Sequence, residues 1–219
     1  GTAKPSKADQ RDIRHHLIDL VEPTDPFNVA QYLDVARTTI AEIHGRGKLP
    51  FLVGGTGLYT FGVLDGIKAP KVPANWELRK SLEERANAEG VASLIADLEK
   101  LDPETAARID RHNLRRVVRA LEVCLETGQP FSAQQGREEP PYEAMILGLT
   151  MERKELYHRI NDRVDEMIAA GWVEEVRTLM AAGCAADTSS MSALGYRDII
   201  AFLNGSTFIE DTISRIQQT

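Results

Sequence analysis

The sequence predicts an α/β protein whose parallel sheet is interrupted by an all-helical module, and three observations carry that expectation. The first is Leu49-Pro50-Phe51-Leu52-Val53-Gly54-Gly55-Thr56-Gly57-Leu58-Tyr59, where an apolar run enters a glycine-rich turn with one hydroxyl and restarts as an apolar helix. A parallel strand buried on both faces reads as an unbroken apolar run, and ligands of open α/β sheets gather at the strands' carboxyl ends. The second is the alternation around that turn of helix, glycine, strand, glycine turn and helix. The third is a change of texture after Gly66: Trp76 to Leu125 is rich in Ala, Leu, Glu and Arg and has almost no strand-like alternation.

In chain order, His16 to Leu20 is a short apolar run containing Asp19, and Asn28 suits the N-cap of a helix reaching about His44. Val35, Ile40 and Ile43 supply part of its apolar face, and Gly45 and Gly47 end it. Leu49 to Val53 is then a strand. Pro70 and Pro73 mark a linker into the helical stretch, where Asp102-Pro103-Glu104 starts one helix and Asn113 starts another that stops before Gly128. Past Pro140-Pro141, Ala144 to Leu149 reads as a second core strand. Helices follow from Glu152 to Ala170 and from Val173 to Ala182, and Gly195-Tyr196-Arg197 opens another towards Asn204-Gly205. The segments divide into a first α/β part (1–70), a helical insertion (71–133) and a second α/β part (134–219). The opening on Gly1 without methionine, and the end at Gln217-Gln218-Thr219 inside a helical pattern, suggest an internal fragment.

Composition narrows the class. With 42% hydrophobic and 27% charged residues the 219-residue chain is of ordinary globular type, without an apolar run long enough to cross a bilayer, so a cytoplasmic protein with no membrane partner is expected. Cys124 and Cys184 have neither disulfide-scaffold nor zinc spacing, and His15 and His16 have no partner at metal-ligand spacing. The net charge of −7 disfavours a broad nucleic-acid surface. Charge is nevertheless segregated: Arg108 to Arg119 holds five arginines against Asp110, whereas Glu77 to Glu104 holds eight acids against four bases.

Several groups could carry chemistry. The glycines of the Gly54 to Gly57 turn would let backbone approach an anion at a helix N-terminus. The turn lacks the Gly-Lys-Ser/Thr ending of a P-loop, so a tight turn with glycines for packing is the competing reading. On the Asn113 helix, Leu114, Val117, Val118, Leu121 and Leu125 share one face, while Arg115, Arg116 and Arg119 form a stripe on the other. Arginine suits phosphate and stacks on bases; a solvated charged face is the bland alternative. In the helix after Glu152, Arg159 and Arg163 border the stripe Leu156, Ile160, Val164 and Met167. They suit a diphosphate with an apolar tail, or else i,i+4 ion pairs with Asp162, Asp165 or Glu166. Lys4 and Asp19 are lone charges that spacing assigns to no role.

Five ordered motifs, Gly1-Thr2-Ala3-Lys4-Pro5, His15-His16-Leu17-Ile18-Asp19, Leu52 to Tyr59, Arg119-Ala120-Leu121-Glu122-Val123 and Leu194-Gly195-Tyr196-Arg197, resemble the bacterial tRNA dimethylallyltransferase family over nearly the whole chain. That resemblance implies transfer of a dimethylallyl group from dimethylallyl diphosphate to N6 of the adenosine 3′ of the anticodon, in tRNAs reading codons that begin with U. It implies a P-loop-kinase-like parallel-sheet core and a helical insertion gripping the anticodon stem-loop. Thr56 would touch the target nucleotide, and Arg163, with Arg159 second, would hold the diphosphate. Arg115, Arg116, Val117, Val118 and Arg119, with Arg79, would contact the anticodon arm, and so would Ser192, Ala193, Leu194, Gly195, Tyr196 and Arg197. The implied cofactor is Mg2+ and the implied state a monomer. The family's P-loop and general-base aspartate precede the Gly-Thr-Ala-Lys-Pro motif and a basic helix follows the last one, so this chain is expected to lack all three. An adenylate dimethylallyltransferase, a non-catalytic RNA-binding fragment and a P-loop kinase relative are the competing readings.

Overall fold

The structure is a computed structural model that describes residues 4, 5, 8, 10–185, 188 and 190–218; Gly1, Thr2 and Ala3 of the opening motif and Thr219 lie outside them. It forms two compact units, Asn28–Met145 and Gly1–Phe27 with Ile146–Thr219.

The larger unit begins with α1 (Val29–Gly45), where Asn28 and Gln31 cap reciprocally, each side chain accepting the other's backbone N–H. It packs on α2 (Gly57–Leu64), and the approach is close: a Cβ on Gly62 would lie 3.0 Å from Leu33. A two-residue antiparallel ladder pairs β1 (Ile67–Lys68) with β2 (Gly136–Arg137). Between these strands lies the helical stretch: α3 (Trp76–Glu89), α4 (Val91–Leu101), α5 (Pro103–Arg108), α6 (Leu114–Thr127) and α7 (Phe131–Gln134). Its starts are capped by Asn75, Asp102 and Asn113, each accepting a backbone N–H three residues on, and α6 ends at Gly128 in the left-handed region. Leu82, Leu94, Ile95, Leu98, Val117, Val118 and Leu121 form its core.

The smaller unit carries α8 (Arg153–Ala169), α9 (Trp172–Ala181), a 3-10 turn at Ser190–Ser192, α10 (Tyr196–Leu203) and α11 (Ile209–Gln218). Val164, Trp172, Val176, Met191, Tyr196, Ile199 and Ile216 are its core.

The helices lie where the sequence puts them, whereas the two expected core strands do not form. Residues 49–53 and 144–149 carry no ladder, and Phe51, Val53 and Leu149 are 81%, 88% and 100% exposed. An apolar run becomes a strand only when a neighbour supplies the other half of each hydrogen bond, and among the described residues none does. Among the described residues the sheet is the short antiparallel ladder, and the other regular elements are helices, separated by irregular stretches such as 10–28 and 138–152.

Candidate functional site

In the larger unit the glycine turn leads directly into α2. Thr56 is its N-cap residue, with its carbonyl accepting the N–H groups of Tyr59 at 2.9 Å and Thr60 at 3.0 Å, while its exposed hydroxyl makes no capping bond. Gly54, Gly55 and Gly57 have no positive φ, and a Cβ on Gly55 would meet nothing within 4 Å. Neither packing nor backbone conformation therefore calls for glycine at Gly55. Behind the turn, the rings of Tyr32 and Tyr59 stack at 4.2 Å, and burial raises both phenols above their ordinary range.

The arginine stripe of α6 divides into two kinds of side chain. Arg115 and Arg116 are exposed. Arg119 is half-buried: one amino group donates to Glu122 Oε2 at 2.6 Å and the other to the carbonyls of Val72 at 3.0 Å and Pro70 at 3.3 Å. Arg79, reaching over from α3, grips the same carboxylate with two bonds of 2.8 Å, and the Asn75 N–H donates to Oε1 at 2.7 Å. Glu122 is 0% exposed. Burial by itself would raise its pKa, but the two guanidinium groups and the amide outweigh burial and hold it below the usual carboxylate range. Arg79 and Arg119 therefore brace the module through a buried acid and the linker, while each keeps about a quarter of its side chain exposed, at 26% and 28%. The side chains of Val117 and Val118, expected at the same arm, sit in the core. Sequence reading passed over Glu122 because its neighbours Leu121 and Val123 are core residues and its partner Arg79 lies 43 positions away. The available signal was an acid in the buried half of an amphipathic helix.

In the smaller unit Arg159 and Arg163 lie one turn apart on exposed positions of α8. Arg159 donates to Glu155 Oε1 at 2.9 Å, the exposed i,i+4 pair that the bland reading anticipated in kind, though with a different acid. Arg163 adjoins buried Val164. Of the segment 192–197, Ser192, Ala193, Leu194 and Arg197 face solvent. Gly195 and Tyr196 are buried and pack within the unit. Gly195 has φ of 80°, and a Cβ there would lie 2.3 Å from the Trp172 ring. The Tyr196 hydroxyl donates to Glu175 at 2.5 Å, and burial together with that carboxylate pushes the phenol well above its ordinary range. Lys4 and Asp19 pair at 2.6 Å, with Leu17 and Asp19 both in the left-handed region that non-glycine residues seldom adopt.

The resemblance implies magnesium. Among the described residues no three His, Cys, Asp or Glu converge, so the groups present do not fit a metal site and the chemistry below is not routed through one. Nor is any helix of the described residues long and apolar enough to cross a membrane.

Comparison with known proteins places this architecture. The family model described as IPP transferase matches residues 1–219. A tRNA dimethylallyltransferase of Thermomicrobium roseum is 48% identical over 99% of this chain and 66% of its own length, and one of Roseiflexus sp. is 44% identical over 99% and 71%. The chain therefore spans about two thirds of the length of such relatives. Among solved structures, the full-length tRNA isopentenylpyrophosphate transferase of Bacillus halodurans superimposes with a TM-score of 0.65 at 40% identity, covering 99% of this chain and 68% of that one. A eukaryotic dimethylallyltransferase shares the fold at a TM-score of 0.74 and 23% identity, covering 98% and 55%. With the family model matched from end to end and several relatives above 40% identity, the chain belongs to the IPP transferase family of prenyl-transferring enzymes.

Proposed function

We propose that the protein containing this chain transfers a dimethylallyl group from dimethylallyl diphosphate to N6 of the adenosine 3′ of the anticodon in tRNAs reading codons that begin with U. The observation that carries the reading is the end-to-end family match, which spans both the uncapped Thr56 hydroxyl and the exposed arginines of α6. We also propose that the unladdered apolar segments 49–53 and 144–149 serve as strands of a P-loop-kinase-like parallel sheet in the longer protein.

The chemistry sets what the side chains do. An adenine amino group is a weak nucleophile because its lone pair is delocalised into the ring. As its nitrogen bonds the allylic carbon, the carbon–oxygen bond breaks, the diphosphate departs with the electron pair, and the N6 proton passes to a base. Thr56 positions the target base through its free hydroxyl. Arg163 answers the charge gathering on the diphosphate, with Arg159, whose Nε holds Glu155, beside it. Arg115 and Arg116 hold the phosphates of the anticodon arm, with Ser192, Ala193, Leu194 and Arg197 as further contacts. The adenosine leaves its stack to react. The enzyme works as a cytoplasmic monomer.

A helical module has nothing to hold on a mononucleotide, which sets the adenylate-specific reading second. Incubating the full-length protein with dimethylallyl diphosphate and either a synthetic anticodon stem-loop or AMP separates them. Modified stem-loop and unchanged AMP is the expected result; prenylated AMP with an untouched stem-loop overturns it. Arg163→Ala should lower turnover far more than RNA affinity, and unchanged turnover removes Arg163 from the reaction.

A further inference from the structure

Trp76 is the first residue of α3 and remains 65% exposed, although tryptophan is on average highly buried. Its surroundings hold it in place. The Arg79 guanidinium lies over the indole at 4.9 Å from the ring centre, within cation–π range, and is itself fixed by two bonds to buried Glu122. The preceding residue, Asn75, is pinned through its N–H to Glu122 and through its side-chain amide to Glu126, both at 2.7 Å. The backbone entering the tryptophan and the cation against its ring are therefore tied to one buried carboxylate.

The same carboxylate links the ring to the cationic strip. Arg115, Arg119 and Glu122 are spaced i, i+4, i+7 along α6 and so share a face. Trp76, Arg79, Glu122, Arg119 and exposed Arg115 follow one another as a row with an aromatic at one end and an unspent guanidinium at the other. A preorganised flat ring beside phosphate-binding arginines is the combination that holds single-stranded nucleic acid, because every base has a face to stack. A paired helix keeps its bases stacked inside, so the ligand must offer an unpaired one.

We propose that Trp76 is an RNA-contact residue on which an unpaired loop base of the substrate RNA stacks, with Arg79 and Glu122 as positioning residues behind it. This rests on the tRNA reading above and adds to it a contact outside the arginine stripe.

Stacking and phosphate neutralisation leave different signatures, since only the second releases counterions. The test is fluorescence anisotropy of a labelled synthetic anticodon stem-loop titrated with the full-length protein at several salt concentrations. Trp76→Ala should weaken binding about 10-fold with the salt slope unchanged, and Trp76→Phe should stay within about 3-fold of the parent. Trp76→Leu, apolar but without a ring face, should fail as Trp76→Ala does. Binding by Trp76→Ala within about 2-fold of the parent, or parent-like binding by Trp76→Leu, overturns the proposal. Arg115→Ala with Arg116→Ala serves as the internal reference: if it flattens the salt slope while Trp76→Ala is neutral, the stacking contact is wrong and the tRNA reading stands. If the parent does not bind the stem-loop, both fall.

Discussion

Glu122 shows how one side chain can make a module's surface dependable. A carboxylate at 0% exposure is costly unless several donors meet it, and here two arginines and a backbone N–H do. Removing it with Glu122→Ala strands two half-buried guanidinium groups, so we expect a loss of about 3 kcal/mol or more in denaturant unfolding of the chain. A loss below about 1 kcal/mol would mean that solvent takes over the arginines at little cost. Asp102 is a second buried acid. It caps α5 through Thr105 N–H at 3.0 Å and accepts from Ser132 N–H at 2.7 Å and the Ser132 hydroxyl at 2.9 Å. Burial opposes its ionisation, but the Thr105 and Ser132 bonds prevail and lower its pKa to about 2. A depressed folded-state pKa contributes stability above the unfolded value, near 4, and that contribution disappears as pH falls through about 2. Asp102→Asn should therefore remove about 2 kcal/mol of stability at neutral pH and flatten the acid limb of the stability curve between about pH 4 and 2. An acid limb identical to the parent's would show that other carboxylates govern it.

At the level of elements, what could be read from the sequence was what is local. Asn28, Asp102 and Asn113 announced helix starts because a cap bonds its own backbone three residues on, and each does so. The arginine row of α6 was legible for the same reason, since helical spacing alone fixes it. What each arginine bonds was not, because Arg79 and the linker carbonyls that meet Glu122 and Arg119 are 43 to 49 positions distant. Strands failed for a related reason: Leu49 to Val53 has the composition of a core strand, but a strand exists only with its partner. Gly195 was legible as part of a motif, but what demands glycine there, the start of α10, was not. It combines a left-handed φ with the face of Trp172, whereas Gly205, at φ of 75°, would place a Cβ in open space. Gly195→Ala should cost about 2 to 4 kcal/mol and disturb the near-ultraviolet signal of buried Trp172, while Gly205→Ala costs about 1 kcal/mol. Equal thermal shifts for the two variants would mean that the indole moves aside freely.

For the molecule as a whole, the −7 net charge disfavours broad attraction of a polyanion, and the exposed Arg115 and Arg116 of α6 confine the proposed RNA contact to one strip. The same contrast between local and general governs its apolar surface. Each unit has its own core, yet Phe51, Val53, Met145, Ile146, Leu147 and Leu149 stand in solvent outside any helix or ladder. Backbone outside helix and ladder has amides open to water, and runs of exposed apolar side chains usually mark surfaces that something else covers. If these segments are strands of a parallel sheet in the longer protein, their amides exchange quickly in the 219-residue chain and slowly in a protein of the relatives' full length. The helices of the larger unit, held by their own core, should exchange alike in both. Hydrogen exchange followed by peptide mass spectrometry reads the two classes in one experiment. Slow exchange confined to 49–53 and 144–149 of the longer protein would support the sheet, whereas rapid exchange of these peptides in both proteins would overturn it and leave the antiparallel ladder of β1 and β2 as the sheet of this region.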